Sequence, residues 1–189
     1  SVEMVREAKR RGQNVTVEVN PWALFLGCDW SAIERLGSYA LSYYVPEKNL
    51  PILWDAVNDG TIDILASDHA PHTREEKEIG WTDGWKAHTG TPSAQHYLSL
   101  LLDAVAEGRT TLERVVRITS YRPAEIFGLQ GKGRIQVGLD ADLVLVDLNA
   151  EKEIRDDDTL GLIGWTPYAG RKVRGVPVRT IVRGRTVYV

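Results

Sequence analysis

Ile62-Asp63-Ile64-Leu65-Ala66-Ser67-Asp68-His69-Ala70-Pro71-His72 is the stretch on which the reading of this chain turns. Residues 61–66 form a compact apolar run after Gly60, which reads as a buried strand. The run passes without a spacer into Ser67-Asp68-His69. Asp68 therefore stands at the carboxyl end of that strand, where parallel α/β folds place their active sites. A carboxylate at that address can bind a divalent metal through one oxygen and take a proton from metal-bound water through the other. It can also simply cap the loop that follows. His69 and His72, three apart, are either ligands or hydrogen-bonding anchors of the loop, and the residue types alone favour the anchors.

Working outward, Val2, Val5 and Ala8 with a stop at Gly12 predict a helix, and Val15 to Val19 a short β-branched strand. Asn20-Pro21 breaks it, and Trp22 to Leu26 reads as an apolar loop or turn. Ser31 caps a short helix holding Ile33 and Leu36, and Leu41 to Val45 is a candidate strand. Glu47 to Asn58 reads as a helix with Pro51 in its first turn, where a missing N–H costs little. After the Asp68 strand, residues 67–91 lose all period and hold three of the four histidines, Trp81 and Trp85. A loop of that length in a compact domain is usually functional. The two tryptophans could close over a ring or anchor the loop, and anchoring is the simpler account. Helices are then predicted from Ser93 to Gly108, from Thr111 through Ile118, and from Pro123 to Phe127. Residues 1–128 thus alternate strand and helix, the mark of βα units with a parallel sheet.

Beyond Gly128 the texture changes to glycine-punctuated strands: Arg134 to Val137, Asp142 to Leu148, and Val176 to Val189 with a turn at Arg183-Gly184. Glu151 to Asp158 is mostly acidic, whereas Arg171 to Val189 carries six basic residues and no acid. Two solvated sheet edges kept from pairing by charge would account for this.

Composition removes several functions. With 189 residues, 43% hydrophobic and 26% charged, the chain can bury a core without disulfides. A net charge of −3 offers no general attraction to nucleic acid or an anionic membrane, so neither is expected as a partner. No apolar run approaches the roughly 20 residues that span a bilayer. The lone cysteine, Cys28, fits a reducing cytoplasm and reads as a small buried hydrophobe rather than a nucleophile. Phosphate-binding glycine loops and the Gly-x-Ser-x-Gly elbow are missing from the sequence. A start at Ser1-Val2-Glu3-Met4 suggests a chain cut from something longer.

Ser67-Asp68-His69-Ala70-Pro71-His72-Thr73 followed by Glu75-Glu76-Lys77 resembles the eighth-strand signature of the cyclic amidohydrolases, the dihydroorotase, hydantoinase and allantoinase group. Leu53-Trp54-Asp55-Ala56-Val57 is similar to the helix before that strand, and Gly90-Thr91-Pro92 to the substrate loop after it. Thr119 to Ala124 with Ile126-Phe127-Gly128-Leu129 resembles the last barrel helices. Lys132 to Ile135, Gly138, Asp140 to Asp147, Gly170 and Arg183-Gly184 resemble the return into a small β-sandwich.

The resemblance implies the carboxyl-terminal part of a (β/α)8 TIM-type metal-dependent hydrolase barrel plus part of a small β-sandwich. Residues 1–128 would hold strands six to eight with their helices, and residues 129–189 the sandwich segment. Asp68 would be both metal ligand and proton carrier, and His88, Thr89 and Gly90 would hold the substrate ring. Zinc or another divalent metal would be the cofactor. The partners would be the missing amino-terminal half of the barrel, a small cyclic amide and further copies of the chain.

Two departures stand out. Where relatives end their sixth strand in a Pro-His-His run that supplies a metal-binding histidine, this chain has Asn20-Pro21-Trp22-Ala23. Where they carry an arginine-bearing segment after strand seven, it has Tyr43-Tyr44-Val45-Pro46-Glu47-Lys48. Most of the implied ligands lie outside these 189 residues, so the chain alone is expected to be inactive. The competing expectation is a non-catalytic relative that keeps the barrel as a structural or regulatory module.

Overall fold

The computed structural model describes residues 1–27, 30–42 and 45–189. Helix α1 (Val2–Arg10) leads into β1 (Glu18–Val19), followed by α2 (Pro21–Phe25), α3 (Trp30–Leu36), α4 (Leu50–Asp59) and β2 (Ile64–Leu65). β1 and β2 pair directly and in parallel, Glu18 opposite Ile64 and Val19 opposite Leu65. Backbone bonds from Asp63 N to Val17 O and from Ala66 N to Val19 O extend the ladder at both ends.

Several expectations for this half are corrected. Trp22 to Leu26 is largely the helix α2 rather than a loop, because Asn20-Pro21 is a helix start: the Asn20 side chain accepts from Ala23 N, and Pro21 takes a position whose N–H has no partner to lose. The candidate strand at Leu41 to Val45 fails at its beginning, since Gly37–Ser42 forms a 3-10 turn. Tyr43, Tyr44 and Cys28 fall outside the described residues. The strand at Val15 to Val19 shrinks to its last two residues.

The segment without period contains order of its own. Thr73 and Glu76 form a reciprocal capping box that starts α5 (Arg74–Glu78), and a 3-10 turn follows at Ile79–Trp81. Trp81 packs on Gly37, where a Cβ would overlap the indole, so it anchors the loop as expected. Trp85 does not, being 99% exposed. Next come α6 (Tyr97–Ala106), α7 (Leu112–Val116) and α8 (Arg122–Ile126). The last two are joined by a π-helical turn at Arg117–Tyr121. Pro123 offers no N–H to the carbonyl four residues back, so the helix widens before it instead of stopping.

The remainder is an antiparallel sheet, β3 (Leu143–Glu153), β4 (Lys172–Val182) and β5 (Arg185–Tyr188), in the order β3-β4-β5. The turn at Arg183-Gly184 has positive φ at both residues, as a tight right-twisting hairpin requires. No strand forms at Arg134 to Val137; Ile135 and Val137 are 89% and 99% exposed, with no neighbouring strand to supply hydrogen bonds. The acidic and basic segments are not edges held apart by charge. They pair with each other, Glu151 opposite Arg174 and Glu153 opposite Lys172, so the ladder sets opposite charges across from one another.

β4 lies against α6. A Cβ at Gly175 would come 2.5 Å from Cβ of Leu102, so only glycine permits this approach. Asp103 accepts from Arg174 N at 3.0 Å and clips the two elements together. Leu100, Leu101 and Val115 from the helices share one hydrophobic cluster with Ile154, Trp165, Tyr168 and Val173 from the tail. Truncating fully buried Leu101 to alanine would cost about 3 kcal/mol. Among the described residues, no helix is long and apolar enough to cross a membrane.

Candidate active site

Asp68 lies three residues beyond the end of β2, and its φ of 47° is left-handed, a conformation that costs a non-glycine residue about 1 kcal/mol. Two donors from the turn after β1 meet its Oδ2: Asn20 Nδ2 and Trp22 Nε1, each at 3.3 Å. The Asn20 amide is thus divided, its oxygen capping α2 and its nitrogen donating to the carboxylate. Oδ1 of Asp68 accepts no hydrogen bond among the described residues.

The chain after Asp68 folds back on residues 88–94. His69 bridges Thr91 in parallel, and Ala70 N donates to Thr91 O at 3.3 Å. Nδ1 of His69 accepts from Ser93 N at 3.1 Å and Ala94 N at 3.2 Å, while the Ser93 hydroxyl donates to Ser67 O. With Nδ1 accepting two amides, the proton of the neutral ring sits on Nε2 and neither nitrogen offers a lone pair to a metal, which favours the loop anchor of the two alternatives. These bonds bring Trp22, Asp68, Ala70, Thr89, Gly90 and Thr91 around a cleft of about 320 Å³. Gly90 is obligatory there: its φ is 97°, and a Cβ would lie 2.2 Å from Ala70 O.

His72 and His88 sit behind this loop. Their rings stack at 4.7 Å, and His72 Nδ1 lies 3.3 Å from Glu76 Oε2. The Thr73 amide, with help from His72, holds the Glu76 carboxyl below its ordinary range. Of the three residues expected to hold a substrate, the structure brings Thr89 and Gly90 to Asp68 and turns the ring of His88 onto His72.

The residue that sequence reasoning missed is Lys77. It is 0% exposed, and its ammonium donates to His88 O at 2.8 Å and Gly90 O at 3.2 Å. Burial pushes its pKa down. Arg74-Glu75-Glu76-Lys77-Glu78 reads as a solvated, fully charged helix, so no local signal marks Lys77 as buried.

Asp63, at the opposite end of β2, is the contrasting carboxylate. It accepts from Lys9 Nζ at 2.6 Å, Val17 N at 2.9 Å and Arg122 Nη2 at 3.1 Å. Burial raises its pKa, but these three partners outweigh it and hold the carboxyl below its usual range. Asp63 is thus held by three donors, whereas Asp68 keeps one oxygen free of hydrogen bonds among the described residues. Among the described residues, no three His, Cys, Asp or Glu side chains come together to hold a metal ion. Asp68 offers one carboxylate oxygen, Oδ1, that accepts no hydrogen bond among the described residues.

The profile of the Amidohydrolase family matches residues 3–187. The chain is 38% identical over 191 aligned residues to L-hydantoinase of Paenarthrobacter aurescens, covering 98% of this chain and 41% of that protein. It is 42% identical over 176 residues to dihydroorotase of Halobacterium salinarum, covering 92% and 40%. Among solved structures, L-hydantoinase (dihydropyrimidinase) from Arthrobacter aurescens superposes with a TM-score of 0.91 at 36% identity, over 99% of this chain and 42% of that one. Dihydropyrimidinase from Brevibacillus agri does so with a TM-score of 0.92 at 30% identity, over the same shares. The chain therefore spans about two-fifths of the length of the relatives it matches.

Proposed function

Because the chain belongs to the amidohydrolase family, we propose that it is the carboxyl-terminal part of a metal-dependent hydrolase that opens the C–N bond of a cyclic amide. The observation that carries this reading is Asp68. It stands at the carboxyl end of a parallel strand, one oxygen engaged and one open, in a cleft lined by Trp22, Thr89 and Gly90.

In this reading Asp68 would be one ligand to a divalent ion such as zinc, and the other ligands would come from sequence outside this chain. The ion, when bound, makes hydroxide available near neutral pH and polarises the amide carbonyl. Asp68 would take the proton of the attacking water at Oδ1, its oxygen without a hydrogen bond among the described residues, and deliver it to the ring nitrogen as the C–N bond breaks. Asn20 and Trp22 fix its Oδ2. The backbone of residues 88–90 and the Thr89 hydroxyl hold the ring, with the side chain of His88 supporting them from behind.

The sheets support a longer fold. A parallel pair of two-residue strands leaves both outer edges open, whereas parallel sheets normally have many strands and covered faces. Val144, Leu145, Val178 and Val187, each more than 40% exposed, support a sandwich completed by residues outside this chain. We assign residues 1–128 to the barrel and 129–189 to the sandwich, in an enzyme of the cytoplasm that associates with further copies of itself. β1 is the direct neighbour of β2, so in a barrel closing after β2 it is the strand immediately before the last. Trp22 and Ala23 then follow that penultimate strand, and a ligand on the strand before it lies outside this chain. Their identity gives no ground for a non-catalytic reading.

The test is a panel of hydantoins, dihydropyrimidines, allantoin and dihydroorotate offered to the full-length protein and to Asp68→Asn. Hydrolysis of one ring class by the wild type, lost in Asp68→Asn with an unchanged circular dichroism spectrum, is expected. Turnover that survives Asp68→Asn, or hydrolysis of none of these rings, overturns the proposal.

A further inference from the structure

Lys77 is a fully buried cation with no carboxylate within 4.0 Å among the described residues. Burying an ammonium without a counter-ion is costly unless dipoles replace the water it loses. Here the replacements are the carbonyls of His88 and Gly90, with the face of Trp165 at 5.9 Å. Both carbonyls belong to the segment that carries Thr89 and Gly90 into the Asp68 cleft.

The ammonium itself is held from several sides. Its helix, α5, starts at the Thr73/Glu76 capping box, and the residue before that box, His72, accepts from Trp165 Nε1 at 2.8 Å. Trp165 is in turn buried in the shared core, edge-on to Tyr39 at 5.0 Å. A path of contacts therefore runs from the core through Trp165 and α5 to Lys77, and from Lys77 to two carbonyls of the cleft wall. A charge-assisted bond at 2.8 Å to a backbone oxygen restrains the loop more strongly than a neutral one.

We propose that Lys77 is a positioning residue for substrate binding: its buried ammonium sets the backbone of residues 88–90 against Asp68. The inference rests on the reading of this loop as the substrate loop. The variants are Lys77→Met, which keeps the packing and removes the charge, and Lys77→Arg, which keeps the charge, both in the full-length protein. Two measurements apply.

The first is backbone hydrogen exchange. Amides of residues 88–91 should exchange about tenfold faster or more in Lys77→Met, while those of β1 and β2 keep their wild-type rates. The second is steady-state kinetics on whichever cyclic amide is hydrolysed. KM should rise about tenfold with kcat within about threefold, and Lys77→Arg should recover part of the loss. Should Lys77→Met fail to fold, Lys77→Gln, which keeps one donor, carries both expectations at reduced size. Wild-type exchange at residues 88–91 overturns the proposal, and so does a loss confined to kcat. If the wild type hydrolyses no cyclic amide, the enzymatic reading fails, and the exchange measurement still decides whether Lys77 orders the loop.

Discussion

The indole nitrogen of Trp22 lies 3.3 Å from Oδ2 of Asp68. The side chain that follows the Asn20-Pro21 helix start is therefore a donor to the carboxylate around which the cleft is built. It cannot bind a metal, yet it holds a residue that can.

Trp22→Phe keeps the apolar wall of the cleft and removes that donor. One bond to a charged acceptor contributes about 1.5 kcal/mol or somewhat more. The full-length variant should thus lose about tenfold in kcat on its substrate at an unchanged fold. Wild-type kcat would show that Asn20 alone orients the carboxylate.

Gly90→Ala places a Cβ in contact with Ala70 O at a backbone angle that alanine resists. The segment must shift, so unfolding free energy from urea titration should fall by about 1–3 kcal/mol, and substrate KM should rise. Unaltered stability and KM together would mean that the close approach to Ala70 is not kept in solution.

Asp63 should contribute to acid sensitivity. Its folded pKa lies below its unfolded value of about 4, so its contribution to stability is complete above that value and is lost as pH falls through the lower folded one. Asp63→Asn leaves Lys9 and Arg122 without their carboxylate and should cost about 3 kcal/mol near neutral pH. Urea titrations at successive pH values should show the gap between wild type and variant closing below about pH 4. A gap that stays constant would mean that the three donors do not shift this group.

Asp68 as a metal ligand is open to elemental analysis. The full-length protein should carry about one zinc-like ion per chain or more, and Asp68→Asn should weaken its retention by about tenfold or more during dialysis against a chelator. Identical metal content and retention in both proteins would remove Asp68 from the ligand set.

Much of this is legible in the sequence. The strand before Asp68 follows from a run of apolar residues meeting polar ones, and the hairpin at Arg183-Gly184 from turn chemistry, both being local properties of adjacent residues. The capping box at Thr73 and Glu76 was equally local and could have marked α5 inside the apparently aperiodic loop. Asn20-Pro21 was read as a strand breaker, although the same pair begins a helix, because one dipeptide serves both purposes and only the packing of Ala23, Leu24 and Phe25 into the core selects between them.

By itself the sequence determined the mixed α/β character, the placement of Asp68 after an apolar strand, and the family resemblance through motifs in fixed order. Only the tertiary structure decided which groups surround that carboxylate. Trp22 and Asn20 lie 46 and 48 residues before Asp68, and they meet it because β1 and β2 are direct neighbours. Tertiary packing also separated two carboxylates five residues apart on either side of β2, locking Asp63 among three donors and leaving Oδ1 of Asp68 open. It turned Lys77 from a residue of a charged helix into a buried cation under the cleft wall. Solvation and partners depend on distances in space, and side-chain type alone does not encode which charges lose their water when the chain folds.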